Sequence, residues 1–372
     1  MKVKLKDIAE FSKGNQINGS DLIDGAEYIY LNGGINPSGK WNDYNVEAGT
    51  ITISEGGNSC GYVNFINEPF WCGAHCYYLY NIDGNEKYLY YALKSQESRL
   101  MRLRSGACMP NIKKSDLGEF YFTYENDLKK QEDIVKKFDN VENCIFLLQE
   151  ELKKIELLIK SRFIEMFGDP LANPFKWNVK LIEDVVASSK NSLKSGPFGS
   201  ALKKEYYVKS GYKVYGQEQV ISGNFKVGNY YIDEKRYKIL ENYAIQEGDV
   251  LISLVGTYGK LLIMSDNFEP GIINPRLLKI TFDKSKVNSI YFKYYFESES
   301  LKKALSENTH GGTMAILNLS IVRKLAMPLP PLELQNQFAD FVQQVNKSEL
   351  AVKASLEKLE TLKKSLMQQY FG

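Results

Sequence analysis

A chain of 372 residues is longer than one hydrophobic core usually serves, so at least two domains are expected. The formal net charge is only +2, so no bulk field marks or excludes a polyanionic partner and any basic surface must be local. Two histidines all but exclude His-based triads and histidine-rich metal sites. No apolar run approaches the roughly 18 residues of a membrane span, and the opening MKVKLKDIAEF has no signal-peptide core, so a cytoplasmic location is expected.

Residues 1–125 form the first globular unit. Short aromatic or alternating runs at 28–31, 50–54, 62–66 and 76–80 are separated by Gly and Asn clusters such as Asn32-Gly33-Gly34 and Gly56-Gly57-Asn58, a pattern of strands joined by turns. A helix over 86–104 offers Tyr88, Tyr91, Leu93 and Leu100 to a core and ends in Arg99, Arg102 and Arg104. Five cysteines, an odd number with no secretion signal, indicate reduced thiols. Cys72 and Cys76 flank His75, with Cys60 and Cys108 in the same half. A C-x3-C pair alone is a weak zinc signal, and the second half has no cysteine, so buried thiols are the expected reading.

From 126 to 170 comes a long helix and linker. Apolar residues at Ile134, Phe138, Val141, Ile145, Leu148, Leu152, Ile155 and Ile159 alternate spacings of four and three, a heptad seam, and the helix stops at Gly168-Asp169-Pro170. Residues 171–330 repeat the globular plan. Strands are expected at 249–254 and 261–264, with tight loops at 195–200 and 256–260. A helix over 289–306 carries Tyr291, Tyr294, Tyr295 and Leu301, and 327–331 (MPLPP) introduces a final helix over 331–372. That helix repeats the first at a constant offset of 204 residues, since 335 minus 131 and 372 minus 168 agree. Its seam reads Phe338, Val342, Val345, Val352, Leu356, Leu359 and Leu366, interrupted by Glu349 and Lys363.

Heptads need a partner, and each helix has the other. Antiparallel pairing would set the two globular units at opposite ends in a pseudo-two-fold arrangement. The expected fold is therefore α+β, two globular domains separated by an antiparallel coiled coil of two long helices. A helix of about 37 residues spans roughly 55 Å. That is enough to hold two readers about one duplex turn, roughly 34 to 36 Å, apart. Because the two units differ in sequence, an asymmetric bipartite target with a measured spacer follows.

Residues 161–170 (SRFIEMFGDP), 327–339 (MPLPPLELQNQFA), 356–372 (LEKLETLKKSLMQQYFG), 196–200 (GPFGS) and 255–260 (VGTYGK) resemble the specificity subunit of type I restriction–modification systems over essentially the whole chain. In the first unit YFTYEN stands where that family has PLP. The resemblance implies two target-recognition domains on spacer helices. It implies a non-catalytic subunit that binds double-stranded DNA, holds two methyltransferase subunits and docks restriction-translocase subunits. S-adenosylmethionine, ATP and Mg would sit on those partners, none on this chain. The residues agree: there is no P-loop motif, and Asn173-Pro174-Phe175 lacks the second proline of an adenine methyltransferase N-P-P-F. Two other readings stay open, a specificity component of a bipartite enzyme cutting on both sides of its site, and a coiled-coil scaffold with two protein-binding heads.

Base edges are read by polar side chains and phosphates by Arg, Lys, amides and backbone N–H groups. The DNA-contact candidates in the first unit are Lys40, Asn42, Tyr44, Asn58, Tyr62, Arg99, Arg102 and Arg104. In the second they are Ser195, Phe198, Ser200, Lys203, Lys204, Tyr215, Gln217, Gln219, Thr257, Tyr258, Lys260 and Arg276. Off the heptad seams, Phe146, Leu147, Leu157, Ile164, Leu350 and Phe371 are expected to face partner-subunit helices.

Overall fold

The computed structural model describes residues 1–106, 110–255, 257, 259–307 and 317–372, with the backbone alone at Gly199 and Ser200. The chain is α+β and divides into two compact units, Met1–Glu151 with Val352–Gly372, and Leu152–Ala351.

The first unit contains β1 (Lys2–Lys4), β2 (Glu10–Lys13), β3 (Tyr28–Leu31), β4 (Gly39–Trp41), β5 (Thr50–Ser54), β6 (Val63–Ile66), β7 (Phe70–Cys72), β8 (Cys76–Tyr80) and β9 (Tyr121–Thr123). They form a four-stranded sheet ordered β2-β8-β5-β6, a three-stranded sheet ordered β4-β3-β7, and the pair β1-β9. Within the three-stranded sheet β3 and β7 are parallel. Alternation along β5 explains the layering. Ile51 and Ile53 enter the core shared with Tyr88, Leu89, Ala92 and Leu93 of the helix Glu86–Ser95. A second cluster, Leu31, Val46, Phe70, Cys72 and Cys76, lies under the smaller sheet.

The second unit contains β10 (Asn178–Leu181), β11 (Leu193–Ser195), β12 (Tyr207–Val208), β13 (Tyr212–Tyr215), β14 (Tyr231–Ile232), β15 (Val250–Ser253), β16 (Leu261–Ile263), β17 (Gly271–Ile273), β18 (Leu277–Ile280) and β19 (Ala326–Leu329). Its main sheet, β11-β18-β15-β16, has the same strand plan as β2-β8-β5-β6. The parallel pair β13 and β17 answers β3 and β7, and β10-β19 answers β1-β9. Again the central strand alternates. Val250 and Ile252 face the core with Tyr291, Phe292 and Tyr295 of the helix Ser289–Phe296, while Leu251 faces a separate cluster with Tyr215, Val220 and Leu277.

Two helices of 40 residues each, Leu128–Phe167 and Leu332–Phe371, carry the repeated segments. In the first unit Lys137 Nζ donates to the Tyr370 hydroxyl at 2.8 Å and Lys363 pairs with Glu142 at 2.6 Å, so numbering rises on one helix as it falls on the other. The pairing there is antiparallel. In the second unit Phe163 and Phe167, near the end of one helix, each stand 5.5 Å from Phe338 at the start of the other, which gives the same direction. Lys363, one of the two polar interruptions of the seam, is therefore matched by a carboxylate on the facing helix.

Phe371 does not face outward. It is 3% exposed, its ring 5.3 Å from Tyr88 and 6.0 Å from Phe138. The reason is that the helix end lies against the tyrosine-rich helix as well as its coiled-coil partner, so two faces are covered there. Phe167, its counterpart at the 204-residue offset, is covered in the same way by Tyr291, at 4.8 Å.

The repeat also preserves one polar lock. Gln131 Oε1 accepts from the Asn85 amide at 2.7 Å while its amide donates to Glu125 O. Gln335 Oε1 accepts from the Asn288 amide at 2.9 Å, and its Nε2 donates to Pro330 O at 2.9 Å and Lys286 O at 3.1 Å. Both glutamines are buried. Each ties the first turn of a long helix to the cap of the tyrosine-rich helix beneath it. Gln335→Leu, which keeps the volume and strands those backbone groups without water, should cost about 2–4 kcal/mol. Urea unfolding of the full chain reads this, with Gln344→Leu on an exposed helix position expected to change little.

Candidate nucleic-acid interface

At one end of each unit the loops leaving the strands converge. In the second unit Asn274 N donates to Tyr215 O at 2.8 Å, Leu254 N to Arg276 O at 3.0 Å, and Gln217 Nε2 to Val255 O. Arg276 Nη1 reaches Gln217 Oε1 at 3.5 Å. Gly196 is pressed on this assembly, since a Cβ there would stand 1.9 Å from Asn274 O. Only glycine permits that approach. Buried Ser253 ties together the residues that follow it, its hydroxyl donating to Thr257 O at 2.6 Å and accepting from Lys260 N at 3.1 Å.

The first unit closes its loops in the same manner. Gly73 N donates to Leu31 O at 2.9 Å and Glu55 N to His75 O at 2.9 Å, while Ser54 Oγ donates to Gly33 O. Gly14 plays the part of Gly196, with a Cβ at 1.8 Å from Cys72 O. Ser105, next to the arginines, bridges to Asn111, which in turn bridges to Gly56 on the same surface. Burial pushes the Cys60 thiol up and the Arg104 guanidinium pulls it partly back, which places Arg104 beside this loop.

Of the candidates, Ser195, Phe198, Gln217, Thr257 and Arg276 in the second unit lie on the converging loops. Phe198 is 80% exposed, a large apolar side chain held out on a Gly-Pro loop. Asn58 in the turn Gly57–Ser59, with Arg102 and Arg104, all exposed, occupy the corresponding region of the first unit. Lys40, Asn42 and Tyr44 do not. The strand β4 pairs Tyr28 with Trp41, carrying the chain to the opposite end of β3, where the Tyr44 ring lies 5.1 Å from that of Tyr28, tilted by 51°. Lys203 pairs with Glu205 at 3.5 Å and Lys204 is exposed on the same short turn. Lys260 lies near the long helix Leu128–Phe167; there the Glu156 carboxyl is held below its usual range, first by the Lys160 hydrogen bond and also by Lys302 and Lys260. Tyr258 and the Ser200 side chain lie outside the described residues, as do Cys108 and His310.

Four candidates are corrected by their surroundings. Tyr215 is fully buried, its hydroxyl donating to Glu269 O at 2.7 Å, and burial pushes the phenol far above its usual range. Gln219 is 1% exposed and folds back onto the Gly216 amide and Val227 O at 2.7 Å each, closing the turn. Arg99 is half-buried, over the rings of Tyr121 at 4.8 Å and Phe120 at 5.1 Å, and donates to Gln96 Oε1 and Tyr121 O. Tyr62 lies under the Lys94 ammonium, 3.9 Å from the ring centroid. The Tyr215 hydroxyl and the Gln219 amide are spent on buried backbone groups, Arg99 is held by Gln96 and Tyr121, and one face of the Tyr62 ring is covered.

Sequence reading passed over Lys13 and Glu55, and weighed His75 only as a zinc ligand, although all three stand on the converging loops. The signal available was Glu55-Gly56-Gly57, a carboxylate directly before a Gly-rich turn. Cys60, Cys72 and Cys76 are free and buried, and among the described residues no group of three or more His, Cys, Asp or Glu is placed to hold a metal ion. No helix among them is long and apolar enough to cross a membrane.

The family profile described as type I restriction modification DNA specificity domain matches residues 1–157 and 174–361. A Mycoplasma pneumoniae protein named as a type I specificity subunit is 37% identical over 136 residues, 36% of this chain and 36% of the relative. That match spans little more than a third of the relative's length. The specificity subunit of the type I restriction enzyme MjaVIII from Methanocaldococcus jannaschii is 22% identical over 300 residues, 76% of this chain and 68% of its own. The crystal structure of a type I restriction–modification S subunit from Mycoplasma genitalium has the same fold, with a TM-score of 0.64 at 19% identity, covering 100% of this chain and 96% of that one. Two profile matches, one over each globular repeat, establish that the chain belongs to the type I restriction modification DNA specificity domain family.

Proposed function

We propose that the chain is the sequence-reading subunit of a type I restriction–modification enzyme. It binds an asymmetric bipartite target in double-stranded DNA with one globular unit per half-site and contributes no catalytic group of its own. The observation that carries this is the pairing of one loop scaffold with two different sets of side chains. The backbone closures at 54–75 recur at 253–276, while the residues displayed on them do not. A common frame with unlike readers suits two unlike half-sites.

In the same reading two methyltransferase subunits and restriction-translocase subunits dock on the chain, and S-adenosylmethionine, ATP and Mg are used by those partners. Phe146, Leu147, Leu157, Ile164 and Leu350, between 47% and 67% exposed, supply the docking surface. Apolar side chains this exposed on helices are favourable when another helix covers them.

Arg102 and Arg104 provide the test of DNA contact. Replacing both by glutamine should weaken binding to duplex DNA and reduce the slope of log affinity against log salt by about 2 if both meet phosphates. Mobility shifts over a salt series read this directly. An unchanged slope removes these arginines from the interface.

A further inference from the structure

The two units offer an internal comparison at three matched positions. Lys13 and Ser195 are each the last residue of the strands β2 and β11; Glu55 and Leu254 each directly follow β5 and β15; His75 and Arg276 each directly precede β8 and β18. The match is confirmed by the backbone, because Glu55 N donates to His75 O and Leu254 N to Arg276 O, at 2.9 and 3.0 Å. The first unit thus carries Lys, Glu and His where the second carries Ser, Leu and Arg.

Glu55 is 8% exposed, and the two groups that pair with its carboxylate are exposed side chains rather than buried backbone. It accepts from the Lys13 ammonium and stands 3.3 Å from His75 Nδ1, whose side chain is 59% exposed. Lys13 is 39% exposed on its side chain. A carboxylate so nearly buried is costly unless paired, and here both partners lie at the rim. Such a group is already stripped of most water and held in place, which is what selective reading of a base edge requires.

We propose that Glu55, with Lys13 and His75 at its rim, is the base-reading cluster of the first unit and fixes the identity of at least one base pair in its half-site. Arg276 does the same in the second. This rests on the reading of the chain as a DNA-specificity subunit. A carboxylate accepts from the exocyclic amine of cytosine, while imidazole, ammonium and guanidinium donate to guanine O6 and N7. The cluster therefore discriminates by a rigid acceptor next to donors, and the second unit, at the matched positions, by a donor fork.

The test is complementation of a host lacking this chain with wild type, Glu55→Gln, His75→Gln or Arg276→Ala, followed by mapping of methylated adenines. Glu55→Gln keeps shape and exchanges an acceptor for a donor. His75→Gln changes an exposed side chain and so tests the cluster even where Glu55→Gln lowers the amount of folded protein. Expected is a change in relative methylation of roughly 5- to 100-fold at one or more base pairs of one half-site for the Glu55 and His75 variants, and of the other half-site for Arg276→Ala. Variants that methylate the unaltered wild-type motif, at whatever level, overturn the assignment. A wild-type chain that directs no defined motif overturns the DNA reading itself, and the cluster with it.

Discussion

Replacing Phe338 by alanine should destabilise the second unit by about 3–5 kcal/mol, the cost of deleting a fully buried aromatic side chain. Phe338 has no exposed surface, and its ring meets Phe163 and Phe167 at 5.5 Å and Tyr294 at 5.2 Å. It thus joins three helices: the one it begins, the end of the other long helix, and the tyrosine-rich helix of the globular part. Removing it leaves a cavity that three rings on two separate helices cannot close together. Phe338→Leu, which fills most of the space, should cost about 1–2 kcal/mol. Leu350→Ala, at a position 67% exposed on the same helix, should stay within about 0.5 kcal/mol. Thermal unfolding of the three variants measures the ranking. Equal losses for Phe338→Ala and Leu350→Ala would show that the helix does not pack as described.

Leu157→Glu combined with Ile164→Glu should abolish co-purification of the methyltransferase while leaving the chain folded. The two side chains are 63% and 47% exposed and seven residues apart, so they share one helical face. Neither contributes to the buried seam, where Ile159, Phe163 and Phe167 take that part. Charges on the exposed face cost the free chain little, but would have to be desolvated beneath an apolar partner surface. Circular dichroism checks the fold and affinity capture of co-expressed subunits checks the complex. Retention of the methyltransferase would remove this face from the docking surface.

The helical half of the architecture was legible because it is local. A four-three apolar spacing and its copy 204 residues on name the helices, and the structure has them at Leu128–Phe167 and Leu332–Phe371. The strand runs were legible where β-branched and aromatic residues cluster, as in Thr50–Ser54 and Val250–Ser253. The helix read over 86–104 is interrupted at Gln96 without Gly or Pro to announce it. The cause is tertiary: Glu97 accepts the Val63 amide at 2.9 Å, Lys94 donates to Val63 O, and Gln96 donates to Phe371 O. Those partners lie 31 to 275 residues away, beyond any local pattern.

The reading surface was legible only in part for the same reason. Glycine-rich loops could be named, but which loops meet depends on strand order, and β5 lies between β8 and β6 in a sheet whose order no periodicity encodes. In β13 three consecutive residues, Lys213, Val214 and Tyr215, are buried, so the alternation that would have marked Tyr215 as inward is absent. Lys213 itself is covered by an ion pair with Glu269 at 2.7 Å. Exposed basic residues and buried ones carry the same letter, and distant contacts decide between them.

The central claim is that this chain gives sequence choice to an enzyme through two unlike readers. The most direct measurement is a genome-wide map of N6-methyladenine in the host with and without the chain. The account predicts a split, asymmetric motif with a fixed spacer that vanishes on deletion and returns on complementation. A methylation map that deletion leaves unchanged would contradict it.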